Sequence, residues 1–489
     1  MRVVLRVKAG PMAGQVFEFD EPDRFLFGRD PVSRCALPDD PFVSSNHFLI
    51  DVAPPQIKLH ELGSKNGTFV NDVRYGGRKA PAPGVKQADE TDVQLRHGDR
   101  IRVGETEIVV EIRSEAETDP DPAERQHAET QCHSSGRLPS FSDPVLAELD
   151  PEELPTVDPS GHPPAPADPA NPMEKLFAEL LPRYQPIRLL GEGGMGKVFL
   201  ARDRERGGEE VAVKLIRPRG GPSKAAIDLF LRETDLTRQL RHPNVVRYVG
   251  AGHFGDDLYL VLEYVEGEDL AALYAREGPL PLRQAGPLMV CALHGLGYAH
   301  RVTLETEVTE GGRRQRRSFS GLVHRDLKPE NILIGGVGKG RRVPKIADLG
   351  LAKVYGAAGM SDFTEPGAVA GTPFYWPREQ LTDYRFLKPA ADVFAMGAIL
   401  YRLLSGKFAR PGLNKPRLSF HQVCLTVLRE DVRPIRELLP ELPQGVAAVI
   451  MRSLANDAIS RYEDGAEMAV ALREALDASG AGPRRRAQA

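Results

Sequence analysis

Between residues 1 and 113, apolar and polar residues alternate in short runs: VVLRV, QVFEF, FLFGR, HFLIDV, QIKLHEL, GTFVN, DRIRVG and EIVVEI. A period of two marks a strand with one buried face. Eight such runs, closely spaced and with no helical period between them, predict an all-β sandwich. From Tyr184 the texture changes to strands followed by long segments with helical spacing, such as FLRETDLTRQL. That pattern predicts a second body of α+β type over 173–478.

Charge separates the two bodies. Residues 114–172 hold 13 acidic residues, 2 Arg, no Lys and 12 Pro, a net charge of −11. Such a segment has too few large apolar side chains to form a core, so it reads as an extended, disordered linker. Residues 479–489, with Arg484, Arg485 and Arg486, read as a basic disordered tail. Without aromatic interleaving that tail does not imply nucleic acid. The 489 residues carry a net charge of −4 with 41% hydrophobic content, which is ordinary for globular protein. Four cysteines (Cys35, Cys132, Cys291, Cys424) lie far apart and form no C-x-x-C pair, which fits a reducing compartment. No apolar run approaches the roughly 20 residues of a membrane span, so the expected location is cytoplasmic.

The sandwich carries unusual loops: Gly28-Arg29, then Ser44-Ser45-Asn46-His47, then Gly63-Ser64-Lys65-Asn66-Gly67-Thr68, then Leu95-Arg96-His97-Gly98-Asp99. Gly28 and Gly67 suit positive φ in tight turns, and Asn66-Gly67 is a hairpin signal. Taken in order, these loops resemble the forkhead-associated (FHA) domain, a phosphothreonine reader. The resemblance implies that Arg29 and Ser44 hold phosphate, with Ser45 and Lys65 beside it, and that Asn66 bonds the peptide backbone. A guanidinium fork plus a hydroxyl donor suits a phosphate dianion. His47 is expected to orient the loop by hydrogen bonding. Many members have Arg directly after the serine, and here Ser45 stands in its place.

In the second body, Leu190-Gly191-Glu192-Gly193-Gly194-Met195-Gly196-Lys197-Val198 is a glycine-rich hairpin. A lone G-x-G-x-x-G also fits a dinucleotide fold, but here a strand follows the glycines where that fold needs a helix. Val211-Ala212-Val213-Lys214 comes next, then Glu233, then His324-Arg325-Asp326-Leu327-Lys328-Pro329-Glu330-Asn331, then Asp348-Leu349-Gly350, and finally Pro377-Arg378-Glu379 and Asp392. This series resembles the eukaryotic-like (Hanks-type) serine/threonine protein kinases of bacteria, with a bilobal α+β fold.

The resemblance implies a non-specific serine/threonine protein kinase that uses ATP and Mg²⁺, with Mn²⁺ as an alternative. Asp326 would accept the hydroxyl proton and Lys328 would contact the γ-phosphate. Lys214, held by Glu233, would pair with the α- and β-phosphates, and Asn331 and Asp348 would ligate the metal. The glycine-rich residues from Leu190 to Val198, with Ala212, Glu263, Val265 and Leu333, would enclose ATP. Tyr264 would lie in the hinge and Leu262 at the back pocket. Ser361, Thr364 and Thr372 are candidate phosphosites of the activation segment. Glu379 is expected to pair with Arg461, and Trp376, the only Trp, to pack near the substrate groove.

Residues 301–321 exceed the family's usual length and read as a hairpin with one basic strand. Two readings stand: a solvated insertion, or a docking surface for an acidic partner such as the linker. Expected partners are protein substrates, phosphothreonine-containing proteins or the chain's own phosphorylated segments (Thr118, Thr130 and Thr156 among them), and a transient homodimer. The rival reading is a scaffold with a silent kinase body. The intact Lys214, Asp326, Asn331 and Asp348 argue against it.

Overall fold

The computed structural model describes residues 2–19, 23–29, 35–37, 40–54, 56–81, 84–88, 90–113, 183–193, 196–216, 227, 230–231, 234–235, 237–254, 257–310, 313–336, 342–349, 373–382 and 384–480. The expected linker and residues 481–489 of the expected basic tail lie outside these residues.

The N-terminal body is a sandwich of a seven-stranded and a five-stranded sheet. In the first sheet Arg2–Ala9 pairs antiparallel with Thr106–Arg113, so the two ends of the body lie side by side. The second sheet holds Asp23–Gly28 beside Phe48–Ala53, then Gln56–Glu61 and Asp92–Leu95. All eight expected runs form strands. Four short strands (Cys35–Ala36, Val73–Tyr75, Lys86–Gln87 and Asp92–Leu95) were not legible in the pattern. Between the sheets Phe25, Phe27, Phe48, Ile50 and Leu59 meet Val3, Leu5, Ile101 and Ile108. Each such side chain contributes about 1.5–3 kcal/mol by leaving water.

The second sheet departs from the expected alternation, because its outer face is buried as well. Leu26, Leu49 and Leu62 are each at most 1% exposed. They close on Trp376, Leu381, Leu413 and the helix Phe420–Arg429 of the second body. A sheet covered on both faces reads as continuous apolar sequence, as Phe25-Leu26-Phe27 and Phe48-Leu49-Ile50 do.

Charged side chains in this seam form ion pairs. Arg24 Nε lies 2.5 Å from Asp51 Oδ1, and the guanidinium stands 4.9 Å from the Trp376 ring and 5.3 Å from the Tyr384 ring. His60, fully buried, has Nδ1 3.0 Å from Asp92 Oδ2 and Nε2 3.4 Å from Asp51 Oδ2. The Phe420 ring sits 5.1 Å from its imidazole.

The second body opens with a five-stranded antiparallel sheet containing Tyr184–Gly193, Gly196–Asp203, Glu209–Ile216, Asp257–Glu263 and Tyr248–Phe254. A helical lobe follows, centred on Pro389–Ser405, whose residues are buried almost all round and which is packed by Leu282–Arg301, Gln444–Ser453 and Gly465–Ala478. A helix apolar on every side belongs at the middle of a lobe. The 301–321 segment forms an antiparallel hairpin, Thr303–Glu310 with Arg313–Ser320. Gln239 clamps its base through both backbone groups of Glu305, at 2.7 and 3.1 Å. No helix among the described residues is long and apolar enough to cross a membrane.

The seam carries a pH signature. Burial alone would lower the His60 imidazole, but contact with Asp51 and Asp92 outweighs it and raises the group above its ordinary 6.5. Burial opposes ionisation of Asp51 too, yet Arg24 and His60 bring it down to about 2. Lys58, which pairs with Asp92, and His421 of the facing helix, whose pKa burial lowers, lie beside Asp92, and Tyr384 and Cys424 face Asp51. The His60 contribution is therefore present below pH 6.5 and disappears as pH rises through the raised value. The Asp51 contribution is present above its ordinary range and disappears as pH falls towards about 2. Thermal unfolding of the full chain should peak in mildly acidic buffer, and His60→Gln should flatten the alkaline limb and, because His60 also helps hold Asp51 and Asp92 down, soften the acid limb.

Candidate functional site

The catalytic-loop motif is held from below by one carboxylate. Asp392, at the start of the helix Pro389–Ser405, accepts hydrogen bonds from the backbone N–H of His324 at 2.6 Å and of Arg325 at 2.9 Å. His300 donates to it from Nε2 at 2.9 Å, while its Nδ1 accepts from Gly465 N–H. Burial works against ionisation of Asp392, but His300 and His324 outweigh it and keep its pKa below the ordinary value. His324 Nε2 in turn donates to the Ala347 carbonyl at 2.8 Å, which ties the loop to the segment bearing Asp348. Arg325 and Asp348 both have positive φ, +69° and +53°. That region costs a residue with a Cβ on the order of 1–3 kcal/mol, so such contacts are needed to hold it.

Above this support the predicted residues form two groups. Asp326 has Lys328 Nζ 3.4 Å from its carboxylate. Asn331 Nδ2 donates to the Asp326 carbonyl at 2.7 Å and lies 3.3 Å from Oδ2. In the second group Lys214 Nζ lies 2.7 Å from Asp348 Oδ2 and, against the effect of burial, pulls that carboxyl below its usual range. The groups are joined where Ala347 N–H donates to the Asn331 carbonyl at 2.9 Å.

Lys214 stands across from Val198 on one neighbouring strand and Leu260 on the other, and Ala212 across from Leu262. Gly191 pairs with Val198 and Gly193 with Gly196, with Lys197 Nζ 3.2 Å from Glu192. Leu190 lies in the same strand. Glu263 pairs with Lys345 at 2.6 Å, and Leu333 lies across from Lys345 on a neighbouring strand. Glu379 meets Arg461 as expected, at 2.5 Å. Gly194, Met195, Glu233, Ser361, Thr364 and Thr372 lie outside the described residues.

The reader loops converge at one edge of the sandwich. Arg29 N–H donates to the Ser44 carbonyl at 2.9 Å, and Ser44 N–H donates to His47 Nδ1 at 3.0 Å. Burial lowers the His47 pKa to about 4, which leaves the ring neutral, with Nε2 donating to the Gly67 carbonyl. Ser44 Oγ accepts from Lys65 N–H at 2.9 Å, which frees the hydroxyl proton to point elsewhere. Asn66 gives one amide N–H to the Phe42 carbonyl. Gly67 has φ +83°, as its turn requires. Gly28 does not have positive φ, contrary to expectation. It is glycine because a Cβ there would lie 2.0 Å from the Ser45 carbonyl oxygen, and only a bare backbone lets the Ser44-Ser45 loop close on the strand.

Several supporting residues carried no sequence signal of their own. Buried Arg74 braces the reader turn through the Asn66 and Lys79 carbonyls, and Glu61 accepts from Gly63 and Ser64 N–H. Backbone bonds from Arg78 to Ser64 and from Lys79 to Lys65 bring two further exposed cations to the edge. Trp376 is buried in the seam under Arg24. It was expected near the substrate groove, and packs instead against Leu26, Leu49 and Leu62 of the sandwich.

A model of the protein kinase domain matches residues 184–470, and one of the FHA domain matches 25–104. The chain is 31% identical over 298 residues to the serine/threonine-protein kinase PrkC of Bacillus subtilis. It is 32% identical over 299 residues to pkn2 of Myxococcus xanthus, and each match covers 60% of this chain. To PknA of Mycobacterium tuberculosis it is 34% identical over 295 residues, 59% of this chain and 60% of that one. The chain spans 41% of PrkC and 33% of pkn2. The solved structure of Rad53 1–466 in complex with AMP-PNP aligns over 96% of this chain and 98% of its own, at 20% identity and a TM-score of 0.43.

Removing the Asp392 carboxylate leaves two backbone donors and His300 without a buried acceptor. Asp392→Ala should cost about 3–5 kcal/mol in denaturant unfolding. Asp392→Asn should lose less, because it keeps one acceptor oxygen.

Proposed function

We propose that this chain, which belongs to the protein kinase domain family, transfers the γ-phosphate of ATP to serine or threonine of protein substrates, and that its N-terminal body binds phosphothreonine peptides. The observation that carries the reading is the Asp326 carboxylate flanked by Lys328 and Asn331 and tied through the backbone to the Lys214–Asp348 pair. Asp326 orients the acceptor hydroxyl and takes its proton, while Lys328 and Lys214 hold phosphate oxygens. Glu233 positions Lys214. Leu190 to Val198, Ala212, Glu263, Val265 and Leu333 enclose the nucleotide. Asn331 commits its amide nitrogen to Asp326, which leaves Oδ1 beside the Asp348 carboxylate as oxygen donors that suit a hard cation. Mg²⁺ there would neutralise phosphate charge. Ser361, Thr364 and Thr372 are the proposed positions at which the activation segment is phosphorylated.

In the reader, the Ser44 hydroxyl and the Arg29 guanidinium take the phosphate, with Lys65, Arg78 and Lys79 supplying positive charge where Ser45 supplies none. Asn66 offers its remaining groups to the peptide backbone. Partners are protein substrates and phosphothreonine proteins, the chain's own phosphorylated segments included. Cys35, Cys291 and Cys424 are free thiols, which supports a cytoplasmic location.

Incubation of the full chain with labelled ATP and Mg²⁺, followed by phosphosite mapping, tests the activity. Asp326→Asn should retain ATP binding while turnover drops on the order of 10²–10⁴-fold. Autophosphorylation of that variant at the unmodified rate would overturn the assignment. Arg29→Ala should weaken phosphothreonine-peptide binding by about 1.5–3 kcal/mol, measured by calorimetry.

A further inference from the structure

The sandwich uses its sheet face and its loop edge differently. The outer face of the second sheet is buried on Trp376, Leu381 and the helix Phe420–Arg429, whereas Arg29 and Lys65 at the loop edge are exposed. One strand, Asp23–Gly28, connects the two regions. At its start Arg24 lies against the Tyr384 ring, and 5.6 Å from the same ring stands the guanidinium of Arg325, the residue before Asp326. At its other end the strand runs directly into Arg29. A second tie lies at Gly63, where a Cβ would stand 3.0 Å from His421 Nε2, so the Ser64–Asn66 loop abuts the start of the docking helix.

A strand in a packed sheet is stiff, and the seam grips it through Arg24 and Leu26. The phosphate-reading edge is therefore held at a fixed separation from Asp326. The described contacts of the seam fall on Trp376, Leu381, Tyr384 and the docking helix, away from the Lys214–Asp348 pair. An inhibitory cover would instead sit over that pair.

We propose that the two bodies act as one substrate gauge: the chain prefers polypeptides that already carry a phosphothreonine and present a second serine or threonine to Asp326 at a set distance. This rests on the kinase and reader assignments above. A phosphothreonine seated at the edge raises the effective concentration of the nearby acceptor into the millimolar range, so the benefit appears in KM.

The test uses the full chain and peptides with one phosphothreonine and one acceptor serine, separated by Gly/Ser spacers from about 4 to about 24 residues, beside unphosphorylated counterparts. The expected result is a KM minimum at a single spacing within this range, at least about tenfold below the counterpart, with kcat unchanged. Leu49→Asp, which places a charge in the seam, should keep phosphopeptide affinity and turnover of unphosphorylated peptide but spread the minimum into a plateau. Phe420→Ala makes the same test from the helix side should Leu49→Asp disturb the sandwich. Equal KM for both peptide sets, or a spacing-independent KM in the unaltered chain, would overturn the proposal. So would a several-fold rise in kcat on unphosphorylated peptide after undocking, which would make the contact inhibitory. Failure to bind phosphopeptide or to turn over any peptide would strike the underlying assignments, and the proposal with them.

Discussion

The buried carboxylate of Asp392 sets the geometry on which the catalytic loop depends. Two consecutive backbone N–H groups, of His324 and Arg325, point at it, and that demand places Arg325 in left-handed backbone. A charged acceptor in an apolar lobe makes unusually strong hydrogen bonds, and leaving its donors unpaired there costs more than the strain. His300 braces the carboxylate from the neighbouring helix, and His324 carries the constraint to Ala347 and so to Asp348. The proposed proton acceptor, metal ligands and phosphate-binding lysines thus share one rigid frame, as phosphoryl transfer by positioning requires.

The seam between the bodies works by a different balance. Apolar contact from Leu26, Leu49 and Leu62 supplies the area, while Arg24, Asp51, His60 and Asp92 supply direction. A buried ion network adds little net stability, because desolvation offsets much of the attraction. It does penalise any other docking pose, in which one of these charges would be buried without its partner. The same four residues thereby make the seam sensitive to pH.

Much of this protein was legible in its sequence. Strand runs of period two, the order of the reader loops and the spacing from the glycine-rich hairpin to Glu379 all depend on neighbours along the chain, and local pattern reports such neighbours faithfully. The four missed strands are two to four residues long, too short for a period to register. Gly28 was legible as a required glycine but for the wrong reason, since the Ser45 carbonyl it admits belongs to another strand's loop.

What tertiary structure alone decided is where distant segments meet. Asp392 lies 68 residues from the backbone it holds at His324, and Arg74 and Glu61 brace turns through groups that no motif marks. The runs at Phe25 and Phe48 were read as strands with one buried face, and the cover on the other face was not legible. That the cover is the helix Phe420–Arg429, some 370 residues further on, follows only from the match of shape and charge between two folded surfaces. Sequence determined the two folds and marked candidate side chains in each, and the packing between them determined that they share a seam.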